Sequence, residues 1–143
     1  MDEIDGELLA KADSGTIRYT ALAKKLNAPL STVHHRMRKL EKEGVIRYYK
    51  AEVDWKKAGL PFTAFVLINI DVNMLKGMRK TQDKLLKELL DLAYVKEGYI
   101  ITGEADILVK VIARDTAHFK DILLNYIDAT AGVVKTKTIV VLG

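Results

Sequence analysis

Residues 20 to 53 constrain this chain more than any other stretch, because several local signals follow one another there in a fixed order. A helix is expected from about Thr20 to Leu26, with Thr20 able to cap it and Ala21, Leu22, Ala23 and Leu26 small or apolar. Asn27-Ala28-Pro29 then reads as a tight turn, since Asn tolerates a positive φ and Pro cannot continue a helix. A further helix runs from Leu30 or Ser31 to Glu43 and is stopped by Gly44. The β formers of Val45–Val53 predict a strand or small hairpin after it. Upstream, Ile4, Leu8, Leu9 and Ala12 share one face of a short helix over residues 4–12, which Asp13-Ser14-Gly15 ends. Three short helices, a tight turn between the last two and a strand behind them make a winged helix-turn-helix.

The third helix shows what such a unit would do. At 100° per residue, Val33, Met37 and Leu40 fall together and point inward. Opposite them lie Ser31, His35, Arg38 and Lys42, with Thr32 and Lys39 on one flank and His34 on the other. Arg pairs bidentately with guanine, Ser and Thr adapt to several base edges, and Lys meets phosphate. A solvated charged face is the bland alternative, and the preceding helix and turn favour double-stranded DNA as the partner. Arg47 and Lys50 are placed to touch flanking phosphates. Charge agrees: residues 34–50 hold six bases against two acids, a surplus equal to the net +4 of the whole chain. Residues 1–13 carry five acids against Lys11, and residues 61–143 are close to neutral.

Residues 54–61, with Gly59 and Pro61, read as a linker, so the expected division is 1–53, 54–61 and 62–143. The pattern beyond is βαββαβ: strand Phe62–Val72, a helix over 78–92, strands Tyr94–Ile101 and Asp106–Ala113, a helix over 116–128 and a strand Val133–Leu142. The second helix carries Phe119, Ile122, Leu123, Tyr126 and Ile127 at helical spacing. This α+β order is the ferredoxin-like one, a four-stranded antiparallel sheet with both helices on one face. The other face, presenting Val66, Ile68 and Ile70 or the alternate set, needs a cover, and a second copy of the chain would supply it.

The order and identity of these residues resemble the Lrp/AsnC, or feast/famine, family of regulators. The resemblance rests on Asp2-x-x-Asp5, on Leu22-Ala23-Lys24-Lys25-Leu26, and on Ser31-Thr32-Val33-x-x-Arg36-Met37-Arg38-Lys39-Leu40-Glu41-x-x-Gly44-Val45-Ile46. It continues through Gly59, Thr102-Gly103-x-x-Asp106, Gly132-Val133 and Thr136-x-Thr138, and so spans almost the whole chain. It implies a DNA-binding domain followed by an amino-acid-sensing βαββαβ domain, acting as homodimers that assemble further to tetramers or octamers. The DNA-binding residues expected on this basis are Ser31, Thr32, His35, Arg36, Arg38, Lys39, Lys42 and Arg47. Three positions depart from the family pattern. Pro29 stands where a Ser cap is usual, which would leave Ser31 to cap; Thr16 stands where Arg is common; and Ala105 replaces an aromatic residue before Asp106.

For an effector the candidates are Thr102, Gly103, Ala105 and Asp106, with Thr136 and Thr138 as second contributors from the last strand. Backbone N–H groups around Gly103 suit a carboxylate, and Asp106 suits an ammonium, which together fit a small amino acid. The same residues also read as an ordinary hairpin, with Gly for its positive φ and Asp at the strand end. The rival function is catalytic, because sirohaem decarboxylases resemble this family and share its two-domain layout. Two of the three histidines lie on the basic helix, however, and His118 is expected exposed at a helix start. No catalytic residue, cofactor or metal site is therefore expected. His34 and His35 diverge by about 100°, and there is no Cys. No apolar run nears the ~20 residues of a membrane span, and the acidic start does not suit a signal peptide, so a cytoplasmic protein is expected.

Overall fold

The computed structural model describes residues 1–15 and 17–143, so the departure at Thr16 lies outside the described residues. The chain divides into two compact units, Met1–Val53 and Asp54–Gly143.

In the first unit α1 spans Glu3–Asp13, α2 Tyr19–Lys25 and α3 Leu30–Lys42. Asp2 and Asp5 form a reciprocal capping box at the start of α1, each carboxylate accepting from the other's backbone N–H at 3.0 and 3.2 Å. The expected Thr20 cap gives way to a start at Tyr19, with Arg18 as the flanking residue and no side-chain cap. Asn27 takes φ 51°, and the N–H groups of Asn27 and Ala28 return to the carbonyls of Lys24 and Ala23. That closes α2 and swings the chain into α3. Leu8, Leu22, Ala23, Val33, Met37 and Leu40 make the shared core, with Ile46 packed on it. Residues 45–53 form no strand, contrary to their composition. β-branched and aromatic residues favour a pleated surface only where a partner strand accepts their hydrogen bonds, and the first unit offers none among its described residues.

In the second unit residues 54–60 are not slack chain. Asp54 accepts from the Lys57 N–H at 3.1 Å, and the Leu60 N–H reaches the Trp55 carbonyl at 2.8 Å. The strands are β1 Phe62–Ile70, β2 Val95–Ile100, β3 Ile107–Ala113 and β4 Val133–Val140, in the antiparallel order β2-β3-β1-β4. A short helix absent from the sequence reading, α4 Val72–Gly77, is capped by Asp71, whose carboxylate accepts from the Met74 N–H at 3.0 Å. The predicted 78–92 helix shortens to α5 Gln82–Leu90 because Arg79 takes φ 54° and Thr81 supplies a new cap. α6 Thr116–Ile122 continues into a π-helical turn, Leu123–Ile127, closed by the Asp128 N–H on the Leu123 carbonyl at 2.8 Å. This wider turn keeps Ile127 buried and leaves Tyr126, expected on the apolar stripe, 53 % exposed.

Side chains alternate across a strand, and the burial of Ala64, Val66, Ile68 and Ile70 sends them under α5 and α6 with Ile107, Val109 and Val111. The alternate set therefore faces away from the helices. Register pairs Leu67 with Leu108 and Phe65 with Ile139, and sets Tyr99 beside Leu108. Tyr99 is 55 % and Ile139 50 % exposed on this face.

Candidate nucleic-acid interface and effector turn

α3 places its side chains as the helical repeat requires. Val33, Met37 and Leu40 are buried, while Ser31, His35, Arg38, Lys39 and Lys42 are exposed and Thr32 is half-buried. Ser31, His35, Arg38 and Lys42 form one outward stripe, with Lys39 beside it and 4.0 Å from Glu43. Ser31 does not cap α3. Pro29 precedes the first turn, and its carbonyl takes the N–H groups of Thr32 and Val33, so the Ser31 hydroxyl stands inside the helix on the outward stripe.

Arg36, also named above as a DNA contact, stands apart from this stripe. Its guanidinium donates to Asp2 at 2.7 Å and lies 3.4 Å from Asp5, tying α3 to the start of α1. The helical repeat already turns it off the stripe, and two carboxylates then engage the head group. The Asp2 carboxyl is held below its ordinary range, first by the Asp5 backbone N–H and then by Arg36, and Arg36 is correspondingly raised. Asp2-x-x-Asp5 is thus at once a helix cap and a seat for Arg36. The sequence signal that would have found this role was the isolation of Arg36 from the Arg38 face. His34 packs against the Tyr19 ring, centroids 4.5 Å apart, where α2 meets α3. Arg47 is exposed, its guanidinium 5.8 Å above the Tyr48 ring.

An open concavity of about 590 Å³ in the same unit is lined by Lys11, Ile17, Arg18, Ala21, Leu22 and Lys25. No α3 residue lines it, so it is separate from the outward stripe.

In the second unit Gly103 turns the β2–β3 hairpin with φ 122°, a value open to glycine and strained for other residues. Ala105 is buried, and Thr102 is exposed. The Asp106 carboxylate accepts from the Ile70 N–H at 2.9 Å, and its backbone bonds to Ile68 and Ile101 at 2.9 Å each. Asp106 therefore fastens the hairpin end to β1, and one carboxylate oxygen is already engaged. Thr136 leans on Asp128 at 3.4 Å, and Thr138 is exposed. Both threonines sit on β4, across β1 from β3, which puts them about 10 Å from the hairpin strand at ordinary strand spacing. The six candidates are not gathered into one pocket within a chain.

His118 is buried rather than exposed. Its Nδ1 accepts from the Arg114 N–H at 2.9 Å, its own N–H donates to Asp115, and Tyr94 meets it edge-on. No group of three or more His, Cys, Asp or Glu side chains able to hold a metal occurs among the described residues. None of the described helices is long and apolar enough to cross a membrane.

Comparison with known proteins agrees with this arrangement. Residues 1–47 match the winged helix-turn-helix DNA-binding domain, and residues 63–143 match the Lrp/AsnC ligand binding domain. An uncharacterised HTH-type transcriptional regulator of Pyrococcus horikoshii is 32% identical over 141 residues, covering 98% of this chain and 91% of its own. The leucine-responsive regulatory protein of Rhizobium meliloti is 29% identical, covering 96% of this chain and 86% of its own. Among solved structures, AsnC of E. coli superposes with a TM-score of 0.79 at 26% identity, covering 100% of this chain and 93% of its own. A regulator of Neisseria meningitidis, solved with L-methionine, gives a TM-score of 0.82 at 20% identity, covering 100% of this chain and 90% of its own. With both units matched in this order, the chain belongs to the Lrp/AsnC family of DNA-binding transcriptional regulators.

Proposed function

We propose that this regulator reads the major groove of double-stranded DNA with the outward stripe of α3. Arg38 and His35 are assigned to base edges, Ser31 and Thr32 to either bases or phosphates, and Lys39, Lys42 and Arg47 to the backbone. The observation that carries this is the separation on one helix of a buried Val33–Met37–Leu40 seam from an exposed basic stripe. Arg36 is assigned no base edge, since it lies off this stripe and pairs with Asp2 and Asp5. A DNA reader works in the compartment that holds the chromosome, here assigned to the cytoplasm.

The reading unit is a homodimer joined through the helix-free sheet face, where Phe65, Leu67, Tyr99 and Ile139 expose apolar area that a second copy would cover. Two-fold symmetry then sets two α3 helices on half-sites about one helical turn apart. For the effector we assign a small amino acid; the Neisseria meningitidis neighbour was solved with one amino acid, L-methionine. Thr102 and Gly103 offer it backbone N–H groups, and Asp106 offers its second carboxylate oxygen. Thr136 and Thr138 lie too far away in the same chain, so their contribution requires a second subunit and hence assembly beyond a monomer.

Gel-shift and footprinting assays on the DNA upstream of the protein's own gene, with and without each amino acid, test this reading. A protected two-fold site is expected; no preference over random duplex would refute it.

A further inference from the structure

The chain leaves α3 through a complete Schellman motif. The Val45 N–H donates to the Leu40 carbonyl at 3.0 Å and the Gly44 N–H to the Glu41 carbonyl at 3.1 Å, with Gly44 at φ 76°. The Ile46 N–H shares the Leu40 carbonyl at 3.1 Å, and the Ile46 side chain packs on the core. These bonds reverse the chain at the end of the helix.

From Arg47 to Val53 no backbone–backbone hydrogen bond holds the segment among the described residues. Among the described residues, its one hydrogen bond to the helices is from the Tyr49 hydroxyl to Glu41 Oε1, at 2.5 Å. Glu41 lies on the His34 side of the outward α3 stripe, one turn after Arg38, and Arg47 and Lys50, both exposed, flank Tyr49 in sequence on the tethered segment. Donation to the carboxylate, with some burial, raises the Tyr49 pKa to about 12, so the hydroxyl remains a donor throughout the neutral range. Beyond the anchored Ile46, the segment has no ladder bonds, and the Tyr49–Glu41 bond ties it to the helix assigned to DNA.

We propose that the Tyr49–Glu41 hydrogen bond is a latch that holds Arg47 and Lys50 beside α3, so that both meet DNA phosphates when α3 enters the groove. Tyr49 is then a positioning residue for DNA binding, acting through its two basic neighbours. The inference rests on the DNA-reading role of α3 proposed above. It explains how a family described as winged extends its footprint in a chain whose residues 45–53 form no strand.

The test uses the full chain and three variants: Tyr49→Phe, Arg47→Ala with Lys50→Ala, and all three changes together. Tyr49→Phe removes the hydroxyl and keeps the ring, and a thermal melt confirms that the first unit stays folded. Affinity is measured against salt on the selected site and on random duplex. Tyr49→Phe is expected to weaken binding to both by roughly threefold to tenfold. The slope of log affinity against log salt should fall by about one to two units, close to one for each phosphate no longer neutralised. Base preference should be unchanged, and the triple variant should match the Arg47→Ala, Lys50→Ala protein. A wild-type slope in Tyr49→Phe, or an equal loss from it when Arg47 and Lys50 are already gone, overturns the latch. An unchanged slope in Arg47→Ala, Lys50→Ala also overturns it, while an intact base preference set by Arg38 would leave the role of α3 standing. Failure of the wild type to bind any duplex would refute the DNA-reading role itself.

Discussion

Replacing Leu40 by Ala should strongly destabilise the DNA-reading unit and spare the other. Leu40 is 3 % exposed and sits in the core with Leu8, Leu22, Val33 and Met37. The substitution removes three carbon atoms, worth about 2.4 kcal/mol at ~0.8 kcal/mol per buried methylene. The cavity left behind raises the total to about 3–4 kcal/mol, within the usual range for buried Leu→Ala changes. Against this, a unit of the size of Met1–Val53 has a stability of about 3–8 kcal/mol at ~0.05–0.15 kcal/mol per residue. The loss therefore consumes from under half to all of it. Circular dichroism melts should show the helical first transition shifted down or abolished, with a second transition unmoved, because the Asp54–Gly143 core is separate. DNA binding should fall in step with the folded fraction, and self-association should persist. A common melting shift of both units, or a change below about 1 kcal/mol, would refute the reasoning that Leu40 belongs to a small independent core.

Other consequences follow from named contacts. Leu67→Lys, on the helix-free sheet face, should convert the proposed dimer to monomer in sedimentation at micromolar concentration while leaving the fold intact, since Leu67 points away from the helix-packed core. Asp106→Ala should abolish any amino-acid response in titration calorimetry and leave effector-free DNA binding close to normal. It should also destabilise the second unit by about 1–3 kcal/mol, because the Ile70 N–H loses its acceptor. The Asp2 carboxyl is lowered in the folded state, so its contribution to stability is present above its ordinary value of 3.8 and is lost as pH falls below it. Acid titrations of the first unit should accordingly show a weaker loss of stability below about pH 4 in Asp2→Asn than in the wild type.

The fold was legible where the decisive forces were local. Helical spacing alone sorted Val33, Met37 and Leu40 from Ser31, His35, Arg38 and Lys42, because a two-sided environment imprints its period on the residues that meet it. Asn27 announced its turn through its own tolerance of a positive φ. The βαββαβ order followed from alternating runs of apolar residues, although which face of β1 met the helices was open until burial decided it. What escaped depended on partners distant in sequence. The Arg36–Asp2 pair joins residues 34 apart, so helical spacing could set Arg36 off the Arg38 face but could not name its partner. The ring that meets His118 edge-on is that of Tyr94, two strands earlier in the chain. Residues 45–53 have the composition of a strand, but a strand exists only with a neighbour to bond. The effector candidates read as one set in sequence and separate in space, because β1 runs between their strands.

That α3 reads bases through its outward stripe is tested most directly by selecting binding sites from random duplexes with the wild type, Arg38→Ala and Lys42→Ala in parallel. The wild type should recover a two-fold symmetric site. Arg38→Ala should lose preference at one position in each half-site and ~1–3 kcal/mol of affinity there, whereas Lys42→Ala should keep the same preferences at lower affinity. Identical preferences from wild type and Arg38→Ala, or a change of preference from Lys42→Ala alone, would contradict this placement of α3 on DNA.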